Sequence, residues 1–254
     1  MTPLLIDHIV FGFLVVVFPI SGYFSLRRYA ALIRAGRTEM RMRLYRRVIA
    51  EEWVMAIALL IGWFALGRSG AAIGLNVQGG TPAWIGYGLA VLISVVLVAQ
   101  AWSVPRNPKS LAKTKKQLSS LSFILPHTLK ERKAFDAVSV TAGICEEVIF
   151  RGYLITYLMA VIGTPFWIAG IVSSLVFGVA HSYQGPAGIP RTAAVGGLMA
   201  LLYGLTGSLL APMVVHAVMD ITSGRLAYAA STGNVTPPSG SIQHSGEALG
   251  ETGS

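Results

Sequence analysis

Residues 8–26 read HIVFGFLVVVFPISGYFSL, so 19 residues without an Asp, Glu, Lys or Arg separate Asp7 from Arg27. A helix needs about 20 mostly apolar residues to cross the hydrocarbon of a bilayer, and this stretch supplies nearly that number. The same signature recurs along the chain. A second run covers 48–67, with Glu51 and Glu52 near its start, and a third covers 83–104 after the breaker Gly79-Gly80-Thr81-Pro82. A fourth covers 134–160, and Gly163-Thr164-Pro165 separates it from a fifth at 165–182. A sixth at 190–205 turns at Thr206-Gly207-Ser208 into a seventh at 209–229. The expectation is an all-α, polytopic transmembrane helix bundle of about seven spans, with six and eight as the neighbouring counts.

Composition agrees with the runs. The 254 residues are 54% hydrophobic and 12% charged, where a soluble domain carries about 25% charged residues. Mean hydropathy is +0.63. These values exclude an ordinary cytosolic enzyme, a disordered chain and a disulfide-stapled secreted module; with Cys145 the one cysteine, no intrachain disulfide can form. The net charge of +9 does not point to nucleic acid, because the basic residues sit in short runs between apolar segments. Residues 27–47 hold eight Arg against Glu39, and residues 105–133 hold eight Lys or Arg against Glu131. With Arg191 and Arg225 these clusters fall on one side of seven crossings, Arg68 on the other and Arg151 within a span. Positive loops face the cytoplasm, so the N-terminus is expected outside, the C-terminus inside, and the chain in the cell membrane against anionic lipid.

No Lys or Arg precedes the first apolar run, so a cleaved signal peptide is not expected there. The division expected is N-terminal transmembrane helices with basic loops over 1–133, a helical core over 134–230, and a flexible polar tail over 231–254 rich in Gly, Ser, Thr and Pro. His244 in that tail is read as a bystander.

An ionisable side chain near the bilayer centre costs about 2.5–3.5 kcal/mol. Asp7, Glu51, Glu52 and Asp136 lie near span ends and are expected to snorkel to the interface. Glu146, Glu147 and Arg151 lie about 18–26 Å along the fourth span, and unpaired they would cost about 8–10 kcal/mol together. Glu147 and Arg151 are four residues apart on one helical face and are expected to pair. Glu146, rotated by about 100°, is left for another purpose. The fifth helix adds Phe177-x-x-x-His181 and the seventh His216-x-x-x-Asp220. Two histidines and an aspartate from other helices can converge with Glu146 on a wet pocket open toward the cytoplasm.

Such a set suits peptide hydrolysis, in which a carboxylate activates water and imidazoles orient it or donate to the oxyanion. There is no His-Glu-x-x-His, no Gly-x-Ser-x-Gly elbow and no Gly-x-Gly-Asp. Cys145 has no cation one turn away to hold a thiolate. Glu146, His181, His216 and Asp220 are also an alternative set of zinc ligands, although no two His are spaced to chelate from one helix, and the metal-free reading is preferred.

Taken together, Glu146-Glu147-Val148-Ile149-Phe150-Arg151-Gly152-Tyr153-Leu154, Phe177-Gly178-Val179-Ala180-His181 and His216-Ala217-Val218-Met219-Asp220 resemble the three-motif signature of the CPBP (Abi) family, which comprises CAAX prenyl proteases and bacteriocin-processing or immunity proteins. The resemblance covers roughly residues 134–222. It implies an intramembrane endopeptidase of glutamic type acting on a membrane-tethered or lipid-modified, CAAX-like peptide. In that reading Glu146 activates water, His181 assists, His216 and Asp220 stabilise the oxyanion, and Glu147 with Arg151 supports the site. The family is described both as metalloproteases and as glutamate proteases, so zinc stays open. Asp220 departs from the Asn common in the prenyl-protease branch; an Asp donates a hydrogen bond only when protonated. Two other readings of the same residues stand beside this one: a non-proteolytic immunity or scaffold membrane protein, and a proton-coupled transporter with Glu146 and the histidines as relay.

Overall fold

The structure, a computed structural model, describes residues 3–233. Eight helices dominate it: α1 (Leu5–Arg34), α2 (Met40–Ala65), α3 (Thr81–Ser103), α4 (Pro108–Leu118), α5, α6 (Phe166–Ala180), α7 (Gly188–Thr206) and α8 (Leu210–Thr232). Helix α5 runs continuously through Leu129–Glu146, a π-helical stretch Glu147–Leu154, and Ile155–Ile162. No strand occurs among the described residues. All seven apolar runs are helices, and the breaks fall where Gly163 and Gly207 take positive φ, 67° and 59°. Helix α4 was not expected: its Lys-rich sequence reads as loop, but Asn107 caps it by accepting from the backbone N–H of Lys109 and Ser110. The polar tail expected from residue 231 lies outside the described residues beyond Gly233, since α8 continues to Thr232.

Helices α1, α2 and α3 are long and apolar enough to cross a membrane by themselves, with only 11–17% of their apolar windows buried inside the protein. Large apolar side chains such as Ile9, Phe24, Ile57, Ile61, Trp84 and Leu92 point outward instead. A water-facing surface rarely tolerates such continuous apolar area, and lipid accounts for it: this is a membrane protein. Helix α6 is a shorter apolar helix of the same kind, while α5, α7 and α8 bury their polar residues against one another. In α1 the π-helical turn Phe13–Val17 ends two residues before Pro19. A proline ring lacks an N–H and crowds the carbonyl four residues back, and a widened turn relieves that crowding.

Packing centres on α5 and α8. These two lie against each other, α2 lies against α5, α6 against α7, and α3 against both α7 and α8. Small residues permit the close crossings, as they do between membrane helices generally. A Cβ placed on Gly143 would sit 2.8 Å from the Ala217 backbone nitrogen, and one on Gly178 would sit 2.7 Å from the Ile189 carbonyl.

Two buried ion pairs fasten the ends of the bundle. At one end Asp7 is 2% exposed and takes a two-pronged contact from Arg68 at 2.7 and 2.6 Å, while Arg68 also lies 5.0 Å from the Trp63 ring centre. The expectation that Asp7 snorkels is therefore wrong, because a loop arginine comes to it. At the other end Thr128 and Glu131 form a capping box on α5. Glu131 also accepts from Arg41 Nη1 at 2.7 Å, and Arg41 Nε donates to the Phe123 carbonyl. Burial pushes the Glu131 carboxyl up, but N–H groups of His127 and Thr128 and the Arg41 guanidinium outweigh it and hold the group below its ordinary 4.5.

Two measurements check this packing. Gly143→Val forces α5 and α8 apart and is expected to cost about 1–3 kcal/mol, read as a lower melting temperature in detergent. For Glu131 the folded value lies below the unfolded one, so its contribution is complete above about pH 4.5 and disappears as the pH falls through the folded value. The melting difference between wild type and Glu131→Gln is therefore expected to be constant near neutrality and to shrink below about pH 4.5.

Candidate active site

The π-helical stretch of α5 begins at Glu147; such widened turns occur frequently at functional sites. Glu147 and Arg151 are both fully buried and pair at 3.0 Å, as the four-residue spacing anticipates. The same carboxylate oxygen, Oε1, also lies 2.7 Å from His216 Nδ1 on α8. Arg151 Nη2 donates to the Gly196 carbonyl of α7 at 3.1 Å, and its guanidinium stands 4.5 Å from the centre of the Phe177 ring of α6. The Phe177 ring in turn packs against His181, with centroids 4.5 Å apart, and edge-on to His216 at 6.0 Å.

Glu146 faces the other way. Its Oε1 lies 3.8 Å from His181 Nε2 and its Oε2 lies 3.6 Å from His216 Nε2. Asp220 Oδ2 stands 3.9 Å from the same His216 nitrogen. The structure thus brings all four expected site residues into one cluster. None of these separations is a direct hydrogen bond. His181 closes α6 as its C-terminal cap, and its Nδ1 is 2.9 Å from the Phe177 carbonyl. A carbonyl only accepts, so Nδ1 carries the proton and Nε2 of the neutral ring is an acceptor turned toward Glu146. His216 Nδ1 likewise donates to Glu147, which leaves its Nε2 toward Glu146 and Asp220.

The cluster opens into a cavity of about 690 Å³ whose walls come from both halves of the chain. Helices α5, α6 and α8 contribute Glu146, Asp220 and the two imidazoles; α1 and α2 contribute Phe13, Phe18, Val54 and Met55. Glu52 of α2 lines the same cavity. It is 8% exposed and its Oε2 is buried without a hydrogen-bond partner, so the expectation that it reaches the interface is wrong. Helix α2 starts at Met40, which puts Glu52 about 18 Å along it. Glu51 does reach outward, half-exposed and paired with Arg47 at 2.7 Å. The sequence reading also missed Tyr183, whose ring lies 5.6 Å from that of His181. Depth measured from the true start of α2 is the signal that would have found Glu52; Tyr183 has no such signal.

Among the described residues no three His, Cys, Asp or Glu side chains are arranged to hold a metal ion. Zinc bound at about 2.0–2.1 Å brings tetrahedral ligand atoms to roughly 3.3 Å from one another. Glu146, His181, His216 and Asp220 stand 3.6–3.9 Å apart along the chain of contacts just described, so as placed they do not fit that ion. Cys145 is buried and free.

Residues 133–222 match the family model described as type II CAAX prenyl endopeptidase Rce1-like. The matched segment holds all three motifs that carry the resemblance to the CPBP family and every residue of the cluster, while Glu52 lies outside it. No curated protein and no solved structure matches the chain.

The Glu147 contact pattern has a measurable consequence. Glu147→Ala leaves the Arg151 guanidinium buried and short of its partner, and removing one member of such a pair costs about 3–5 kcal/mol. Unfolding in detergent is expected to register that loss; a melting temperature equal to wild type would remove the pairing from the account.

Proposed function

We propose that this chain is an intramembrane endopeptidase that hydrolyses a peptide bond of a membrane-tethered or lipid-modified, CAAX-like substrate with a water activated by Glu146. The observation that carries the reading is the pair of acceptors, Glu146 Oε1 and His181 Nε2, turned toward each other across 3.8 Å. Two acceptors at that separation are matched by a molecule with two O–H donors, and water is that molecule. A water donating to both presents its lone pair for attack on a carbonyl.

In the reaction the water oxygen bonds to the substrate carbonyl carbon while its proton passes to Glu146. The carbonyl π electrons move onto oxygen, where His216, as the imidazolium with Nδ1–H on Glu147 and Nε2–H toward the cavity, and Asp220 stabilise the charge. Asp220 donates there when protonated and otherwise orients His216. Collapse of the intermediate breaks the C–N bond, and Glu146 returns its proton to the leaving amine. Glu147 and Arg151 hold His216 and the helix crossing in place. The apolar cavity suits a lipid-modified segment arriving from the membrane, and the Rce1-like match supports the substrate class. The basic loops 27–47 and 105–133 support seven crossings with the N-terminus outside and the cavity open to the cytoplasm.

The test uses the full chain in lipid vesicles and a farnesylated peptide ending in a CAAX-like sequence. Glu146→Gln and His181→Ala are each expected to lower kcat/KM by about 10²–10⁴ with melting temperatures unchanged. Full cleavage by both variants would end the proposal and favour a scaffold on the same fold.

A further inference from the structure

Glu52 has no role in the chemistry just described, and it lies outside the segment that matches the family model. Yet it is buried in the wall of the same cavity with an orphan carboxylate oxygen. Buried polar groups in folded proteins are nearly always satisfied, and an exception calls for an explanation. Glu51, Glu146 and Asp220 line the same cavity. A cation is close by in sequence, but Arg47 spends its contact on the half-exposed Glu51.

The charged groups around the cavity can be counted element by element. Helix α1 contributes none; α2 contributes the Arg47–Glu51 pair and Glu52; α5 contributes Glu146; α7 contributes Arg191; α8 contributes Asp220. His181 and His216 add imidazoles. Setting aside the compensated Arg47–Glu51 pair, three carboxylates face one guanidinium, that of Arg191, which is exposed and pairs with no carboxylate among the described residues.

Resting on the endopeptidase reading, we infer that Glu52 is a specificity-determining residue that takes the side chain of a Lys or Arg carried by the peptide segment seated in the cavity. A substrate with that charge brings the partner the fold withholds. The ion pair then forms against a mainly apolar lining, where charge complementarity discriminates between partners. A neutral or acidic side chain at the same place leaves the carboxylate as it was or adds repulsion.

The experiment uses the full chain in phosphatidylcholine vesicles, so that the bilayer itself is uncharged. Farnesylated peptides of one sequence carry Lys, Gln or Glu at successive positions flanking the scissile bond. Wild type is expected to cleave the best Lys peptide with kcat/KM about tenfold or more above its Gln counterpart, and the Glu peptide most slowly. Glu52→Gln keeps shape and volume and is expected to bring Lys and Gln peptides near parity, whereas Glu52→Asp keeps the sign of the preference. Equal cleavage of Lys and Gln peptides by wild type, or a preference that survives in Glu52→Gln, overturns the inference. If wild type cleaves none of them, the endopeptidase reading fails separately. The charge preference is then read as equilibrium binding of the same peptides to Glu146→Gln protein, with and without Glu52→Gln.

Discussion

The bundle is organised around a single carboxylate with no access to solvent. Glu147 Oε1 receives Arg151 from its own helix and His216 from α8, at 3.0 and 2.7 Å. A carboxylate removed from water is tolerated only when charge and hydrogen bonds replace hydration, and here both are supplied within one helical turn and across one helix crossing. Arg151 carries the connection further, to the Gly196 carbonyl of α7 and the Phe177 ring of α6. Four helices thus depend on one side chain for their mutual placement. The small residues at the crossings follow from this requirement: a side chain on Gly196 would come within 3.2 Å of Arg151 Nη2, and bulk at Gly143 would hold α8 away.

Two adjacent glutamates then divide the labour. Glu147 is held through its Oε1 by Arg151 and His216, and Glu146, turned about 100° around the helix, stands at the cavity wall with its oxygens near two imidazoles but bonded to neither. Each imidazole is held by its Nδ1, His181 by the Phe177 carbonyl and His216 by Glu147. The orientation of both imidazoles beside Glu146 is therefore fixed from behind, by contacts that face away from the cavity. Preorganised sites of this kind keep their geometry without help from a ligand.

The helices were legible in the sequence because lipid demands an apolar run that no other requirement produces, and Gly163 and Gly207 mark the ends by their backbone. Glu146, His181, His216 and Asp220 were legible for the converse reason, being costly groups where cost should be avoided. What escaped was information that resides between helices. Arg41, in a stretch read as cytoplasmic loop, is buried against Glu131 ninety residues away, so α2 begins earlier than its apolar run and Glu52 lies deeper than it seemed. Asp7 stays buried because Arg68 comes to it, which spacing along one helix does not reveal. The contact from His216 to Glu147 depends on how α8 is rotated against a π-helical stretch, and counting by 3.6 residues does not reach across that crossing.

The cavity has a composite wall. Its carboxylate–imidazole group is drawn from α5, α6 and α8, while Phe13, Phe18 and Glu52 are drawn from α1 and α2. A substitution among the lining residues of α1 and α2 can therefore reshape the cavity while the contacts that hold Glu147, His181 and His216 stay in place.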